Sequence, residues 1–122
     1  MADSGIKCAK ILNKVKGNIG EELASEYLKD IGYKILNRNF KTKLGEIDII
    51  AKDGNRIVFV EVKSKQTARF GMPRDMVTYK KQNTIRMVAE IYLKITKNID
   101  KPVRFDVIEI LGDELTHIKN VF

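Results

Sequence analysis

The sequence predicts an α/β domain: a mixed five-stranded sheet flanked by helices, in the order α-β-β-β-α-β-β. Three observations predict it. Two segments, 18–31 and 76–97, repeat apolar residues with a helical period. Five segments, 33–40, 46–52, 56–63, 103–111 and 114–122, carry the β-branched and aromatic content of strands. The second helix lies between the third and fourth strands, and such interleaving puts helices against a mixed sheet. The chain has 122 residues, the size of one domain, and its 43% hydrophobic fraction supports one core.

The elements follow in order. Residues 1–16 read as a basic N-terminal arm, with Lys7, Lys10, Lys14 and Lys16 against Asp3. Residues 17–122 read as the single folded domain. In the first helix Ile19, Leu23, Ala24, Tyr27, Leu28 and Ile31 share one face, and Gly32 is a terminator. "YKILNRNF" is the first strand. "EIDIIAK" and "RIVFVEVK" form a hairpin across "DGN", a strong turn signal. A basic loop, "SKQTARFGMPRD", leads to the second helix, whose stripe is Val77, Ile85, Val88, Ile91, Tyr92 and Ile95. "VRFDVIEIL" is the fourth strand, Gly112-Asp113 a turn, and "ELTHIKNVF" the fifth strand.

Composition narrows the function classes. The formal net charge of +7 points to an anionic partner. One cysteine, Cys8, rules out an internal disulfide, and no Cys/His cluster can build a zinc site. No segment has the about 20 apolar residues that a membrane helix needs, so a cytoplasmic protein is expected. Cys8 and His117 read as bystanders.

The hairpin holds the informative charges. Glu61 and Lys63 share a face of the third strand, directly after the apolar run "IVFV". If the hairpin closes on Gly54-Asn55, Asp48 lies opposite Glu61, with Cβ atoms roughly 4.5–5.5 Å apart. Two carboxylates facing each other in an apolar strand pair are costly unless neutralised. A divalent cation neutralises them, since Mg²⁺ uses one or two carboxylates and completes its shell with water and phosphate. The alternative is an ordinary hairpin with its charged face in water.

Two helix residues stand out. Glu21 lies at one edge of the first helix's apolar arc, able to lean toward the sheet, or else serves as a first-turn acid favoured by the helix dipole. Lys81 falls inside the second helix's apolar stripe, and either snorkels to solvent or points at anionic groups. Between Lys63 and Arg86 stand seven basic residues and one acid, Asp75. That density attracts phosphates.

These residues carry a resemblance. A helix glutamate, then Asp, then Glu-x-Lys across a hairpin resembles the PD-(D/E)XK, or restriction-endonuclease-like, nuclease superfamily. More closely, "GEELASEYL", "GYKILNRNF", "GEIDIIAKDG", "FVEVKSK", "RFDVIEI" and "HIKNVF" look like the YraN-like family of small predicted endonucleases, which is similar to archaeal Holliday junction resolvases. The proline of the superfamily's name is absent, its neighbourhood here being "LGEID". The resemblance implies a restriction-endonuclease-like core and a catalytic set of Glu21, Asp48, Glu61 and Lys63. It implies Mg²⁺, or Mn²⁺, held by Asp48, Glu61 and the Val62 carbonyl. It implies DNA contacts from Lys65, Arg69, Arg74, Lys81 and Gln82, a structural Asp106 and, by analogy with resolvases, a homodimer. The expected activity is metal-dependent hydrolysis of DNA phosphodiester bonds, in branched or repair-related DNA. The alternatives are a nucleic-acid-binding module with an inactive or partner-dependent site, and a protein whose carboxylates are paired internally with Lys63 and Lys81.

Overall fold

The structure, a computed structural model, describes residues 19–65 and 77–122, with only the backbone of Lys65. The arm with Cys8, and the loop with Arg69 and Arg74, lie outside the described residues. Among the described residues, two helices and five strands appear in the expected order: α1 (Ile19–Asp30), β1 (Lys34–Lys41), β2 (Glu46–Asp53), β3 (Arg56–Lys65), α2 (Tyr79–Ile95), β4 (Val103–Leu111) and β5 (Glu114–Ile118). The strands form one mixed sheet in sequence order. Every pairing is antiparallel except β3–β4, which is parallel and bridged by α2.

The sheet is covered on both faces, which explains the unbroken apolar run in β3. Ile57 and Phe59 pack with Ile85, Val88 and Tyr92 of α2. Val58 and Val60 pack on the other face with Ala24 and Leu28 of α1. A strand buried on both sides gains from apolar residues at every position.

Local chemistry sets the ends. α1 closes with Gly32 at φ +97°, where Tyr33 N–H donates to Leu28 O (2.9 Å) and Gly32 N–H to Lys29 O (3.0 Å). This is the paired bonding of a Schellman cap. It stops the helix at Asp30, so Ile31, expected on the buried face, is exposed. α2 starts later than the pattern suggested because Thr78 caps it, its hydroxyl accepting the Lys81 N–H at 3.1 Å. Ile95, expected in the apolar stripe, is 66% exposed at the last turn.

The fifth strand is shorter than predicted. It ends at Ile118, and the chain then turns at Asn120 with φ +57°. Val121 N–H donates to Phe105 O at 2.7 Å, and Phe122 stacks on Phe105. The cause is Asp106, which is fully buried. Its carboxylate takes Arg104 Nε and Nη2 (both 2.8 Å), the Asn120 N–H (3.0 Å) and His117 Nε2 (2.7 Å). Since a carboxylate only accepts, Nε2 carries the proton, and Nδ1 takes the Tyr27 hydroxyl at 3.0 Å. Arg104 continues to the Tyr33 hydroxyl at 2.7 Å. His117 is therefore no bystander, and Asp106 has the structural role expected of it.

Burial alone would raise the Asp106 pKa, but the bonds from His117, Arg104 and Asn120 outweigh it and hold the carboxyl below its ordinary 3.8. A lowered folded value means that this stabilisation is complete above about 3.8 and is lost as pH falls through the folded value. Asp106→Ala leaves Arg104 without its main partner, and is expected to cost about 3–5 kcal/mol in urea unfolding at pH 7. The gap between variant and wild type should close in unfolding series carried below pH about 3.8.

Candidate functional site at the fork of β2 and β3

The β2–β3 hairpin turns on Gly54 (φ +63°) and Asn55, with Asp53 paired to Arg56. This is the register that aims Asp48 at Glu61. The ladder runs from there to Ile49–Val60 and then stops. Beyond it, the Val62 N–H donates to the Asp48 carboxylate, Oδ2, at 2.8 Å. A side chain takes the place of a backbone acceptor, and the strands part around it. Alternation in β2 breaks at the same point: Ile47 packs on the α2 side and Ile49, two residues on, on the α1 side.

Both helices reach this fork, one from each face. Gly20 in the first turn of α1 lies directly on β3, where an added Cβ would come within 3.1 Å of Ser64 Cβ. That close approach brings the next residue, Glu21, beside Asp48. Burial first, and then the charge of Asp48, raise the Glu21 pKa above its ordinary 4.5. Its Oε1 is shut from solvent with no hydrogen-bond partner among the described residues. From the other face, α2 meets the loop before β2 at Gly45, where a Cβ would come within 2.7 Å of Thr84 Cγ2. Lys81, one turn earlier on α2, places Nζ 3.3 Å from Glu61 Oε2, and Lys63 Nζ is 3.6 Å from the same oxygen.

Glu61 is 6% exposed. Burial, and next the charge of Asp48, raise its pKa above 4.5, and Lys81 and Lys63 only partly offset them. The structure thus gathers Glu21, Asp48, Glu61, Lys63 and Lys81. Asp48 is the common neighbour of both glutamates. The group of Val62 that meets Asp48 is its N–H. Gln82 spends its side chain on the Val77 carbonyl at 2.9 Å, holding the start of α2. Lys65 ends β3, its side chain outside the description.

Sequence reasoning missed the work of Gly20 and Gly45. The signal was present, since each precedes a glutamate in "GEEL" and "GEID", but close approach cannot be read from spacing.

The model of Uncharacterised protein family UPF0102 matches residues 20–110. The chain belongs to this family. Its relatives carry the same description. One from Caldicellulosiruptor saccharolyticus is 47% identical over 87% of this chain and 95% of its own length. One from Thermodesulfovibrio yellowstonii is 50% identical over 87% and 94%. One from Clostridioides difficile is 48% identical over 90% and 98%. This is the YraN-like family named on the motifs above. The matched span, 20–110, runs across the positions of Glu21, Asp48, Glu61, Lys63 and Lys81.

Among the described residues, no three His, Cys, Asp or Glu side chains form a metal-holding group. None of the described helices is long and apolar enough to cross a membrane.

Two variants separate charge from structure here. Asp48→Asn keeps an acceptor for Val62 N–H and should fold like wild type. Asp48→Ala orphans that N–H and should cost about 1–3 kcal/mol in urea unfolding. For Glu61 the folded pKa is raised, so its contribution to stability is fullest below 4.5 and declines as pH rises through the folded value. Glu61→Gln should therefore raise the urea midpoint at pH 7.

Proposed function

We propose that this protein is a divalent-cation-dependent endonuclease of the PD-(D/E)XK, restriction-endonuclease-like superfamily, hydrolysing DNA phosphodiester bonds in branched or repair-related DNA. One observation carries the reading. The described core buries two carboxylates, and treats them in opposite ways. Asp106 is fully satisfied by fixed partners and held below its ordinary pKa. Glu61 is pushed above its ordinary pKa, in spite of two lysines, by burial and by a second carboxylate aimed at it. A poorly stabilised buried carboxylate in a cluster of charges is characteristic of a working site.

The residues fit a Mg²⁺ or Mn²⁺ ion. Asp48 and Glu61 offer hard oxygens, and one or two carboxylates are the usual protein share for Mg²⁺. Glu21 Oε1, buried without a hydrogen-bond partner among the described residues, stands near these two but does not join them in a three-carboxylate set. A bound divalent cation supplies Lewis acidity and acidifies water.

The chain's own groups would act around that ion. Asp48 is preset by the Val62 N–H, so it needs little reorganisation to serve as a ligand. Glu21 would accept a proton from the attacking water or orient it. Lys63, 27% exposed on the face of Glu61, would donate to a phosphate oxygen as charge builds there. Lys81 would meet the DNA backbone at the fork, with a salt-sensitive affinity, and Lys65, Arg69, Arg74 and Gln82 are proposed as further backbone contacts on the resemblance alone.

A second reading has its own observation. Lys63 and Lys81 both lie against Glu61, as in a structural ion cluster. The unfolding of Glu61→Gln separates the two, because a structural cluster would make that variant less stable.

The test is cleavage of four-way junction, flap, single-stranded and linear duplex DNA with Mg²⁺ or Mn²⁺. Wild type should cleave at least one substrate. Asp48→Asn should be inactive, and Lys63→Met should be slower by about a hundredfold to a thousandfold. Cleavage by Asp48→Asn at the wild-type rate would refute the assignment.

A further inference from the structure

Glu61 Oε2 receives two ammonium groups, and they arrive by different routes. Lys63 is two residues along the same strand, so the sheet itself keeps it on the face of Glu61. Lys81 comes from α2, across the fork, and is the closer of the two at 3.3 Å against 3.6 Å. Its side chain is also the more exposed, 43% against 27%. The backbone beneath it is fixed. Thr78 accepts the Lys81 N–H, and Gln82 ties the first turn of α2 to Val77. Lys81 thus has an anchored base and a long, solvent-facing arm with its tip on a buried carboxylate.

A divalent cation at Asp48 and Glu61 would come to the same carboxylate whose Oε2 Lys81 holds. An ammonium 3.3 Å from that oxygen would stand within a few ångströms of the incoming ion, with like charge and little water between. One of the two must leave. Lys63 starts from the strand that carries Glu61 and is the less exposed, whereas Lys81 is the more exposed and has the freer path outward.

Resting on the metal-site reading above, we propose that Lys81 is a tethered counter-cation: it occupies Glu61 in the metal-free protein, exchanges with the incoming divalent ion, and is freed to meet an anionic phosphate. The metal-free site is thereby kept neutralised by the protein's own side chain, and metal binding and the presentation of Lys81 are one event.

The experiment is a Mn²⁺ titration of the full chain by calorimetry, with free Mn²⁺ followed by electron paramagnetic resonance. It compares wild type, Lys81→Met, Lys63→Met and Asp48→Asn. Circular dichroism first establishes that each variant is folded. Lys81→Met should bind Mn²⁺ about two- to fivefold more tightly than wild type, the range expected on deleting one exposed ion pair. The gain should exceed that of Lys63→Met, and Asp48→Asn should lose binding. Wild-type binding with Lys81→Met equal or weaker would overturn the exchange and leave the metal site standing. Absence of binding by both wild type and Lys81→Met would overturn the metal site, and the exchange with it.

Discussion

Val62 N–H meets the Asp48 carboxylate at 2.8 Å, at the point where a backbone oxygen would otherwise have continued the β2–β3 ladder. A hydrogen bond to a charged acceptor is about twice as strong as a neutral one, so the substitution holds the fork open without orphaning a strand amide. Much of the local architecture follows from it. The opening lets α1 contribute from one face and α2 from the other, since Asp48 lies in the gap rather than on either surface. Glu61 stays on the α2 side, where Lys81 reaches it, and Glu21 approaches from the α1 side.

The contrast between the two buried carboxylates explains how one small core tolerates both. Around Asp106 every acceptor position is met by a donor on a rigid element: a strand arginine, a strand histidine, and the amide of a residue in the left-handed region. That cluster ties β4, β5, the chain's last turn and, through Tyr27, α1. Around Glu61 the donors are two flexible ammonium heads, and the nearest acidic neighbour is hostile. The first arrangement gives up freedom for stability. The second keeps a charged group replaceable, as exchange of a ligand requires.

Much of this was legible in the sequence, and the reasons differ by residue. "DGN" marks the hairpin, and once Asp53 pairs with Arg56 across Gly54-Asn55 the turn fixes which side chains face each other, the register that the sequence made conditional on loop length. The double burial of β3 follows from "IVFV". Glu61 and Lys63 on one face follow from a period of two. What could not be read depends on long-range contact. Two readings of Lys81 stayed open until the position of α2 over β3 decided between them. His117 looked idle because its partner, Asp106, lies on the neighbouring strand, and nothing in either segment advertises the other. The last four residues look like a continued strand, but the demand of Asp106 for the Asn120 amide bends them away. Ile31 satisfies the helical period and is exposed because Gly32 ends the helix first.

The one parallel joint in the sheet has a kinetic meaning. The β1–β2–β3 meander and the β4–β5 hairpin close over short turns, and local closure is entropically cheap. The β3–β4 joint instead pairs Ile57 with Val103 and Glu61 with Val107, far apart along the chain. Such non-local pairing is the slow part of folding a mixed domain. The same pairing flanks Glu61 and takes its carboxylate out of water. The largest search through chain conformations and the dehydration of the least comfortable charge therefore fall on one strand pair, so relieving that charge should ease the step that assembles the sheet.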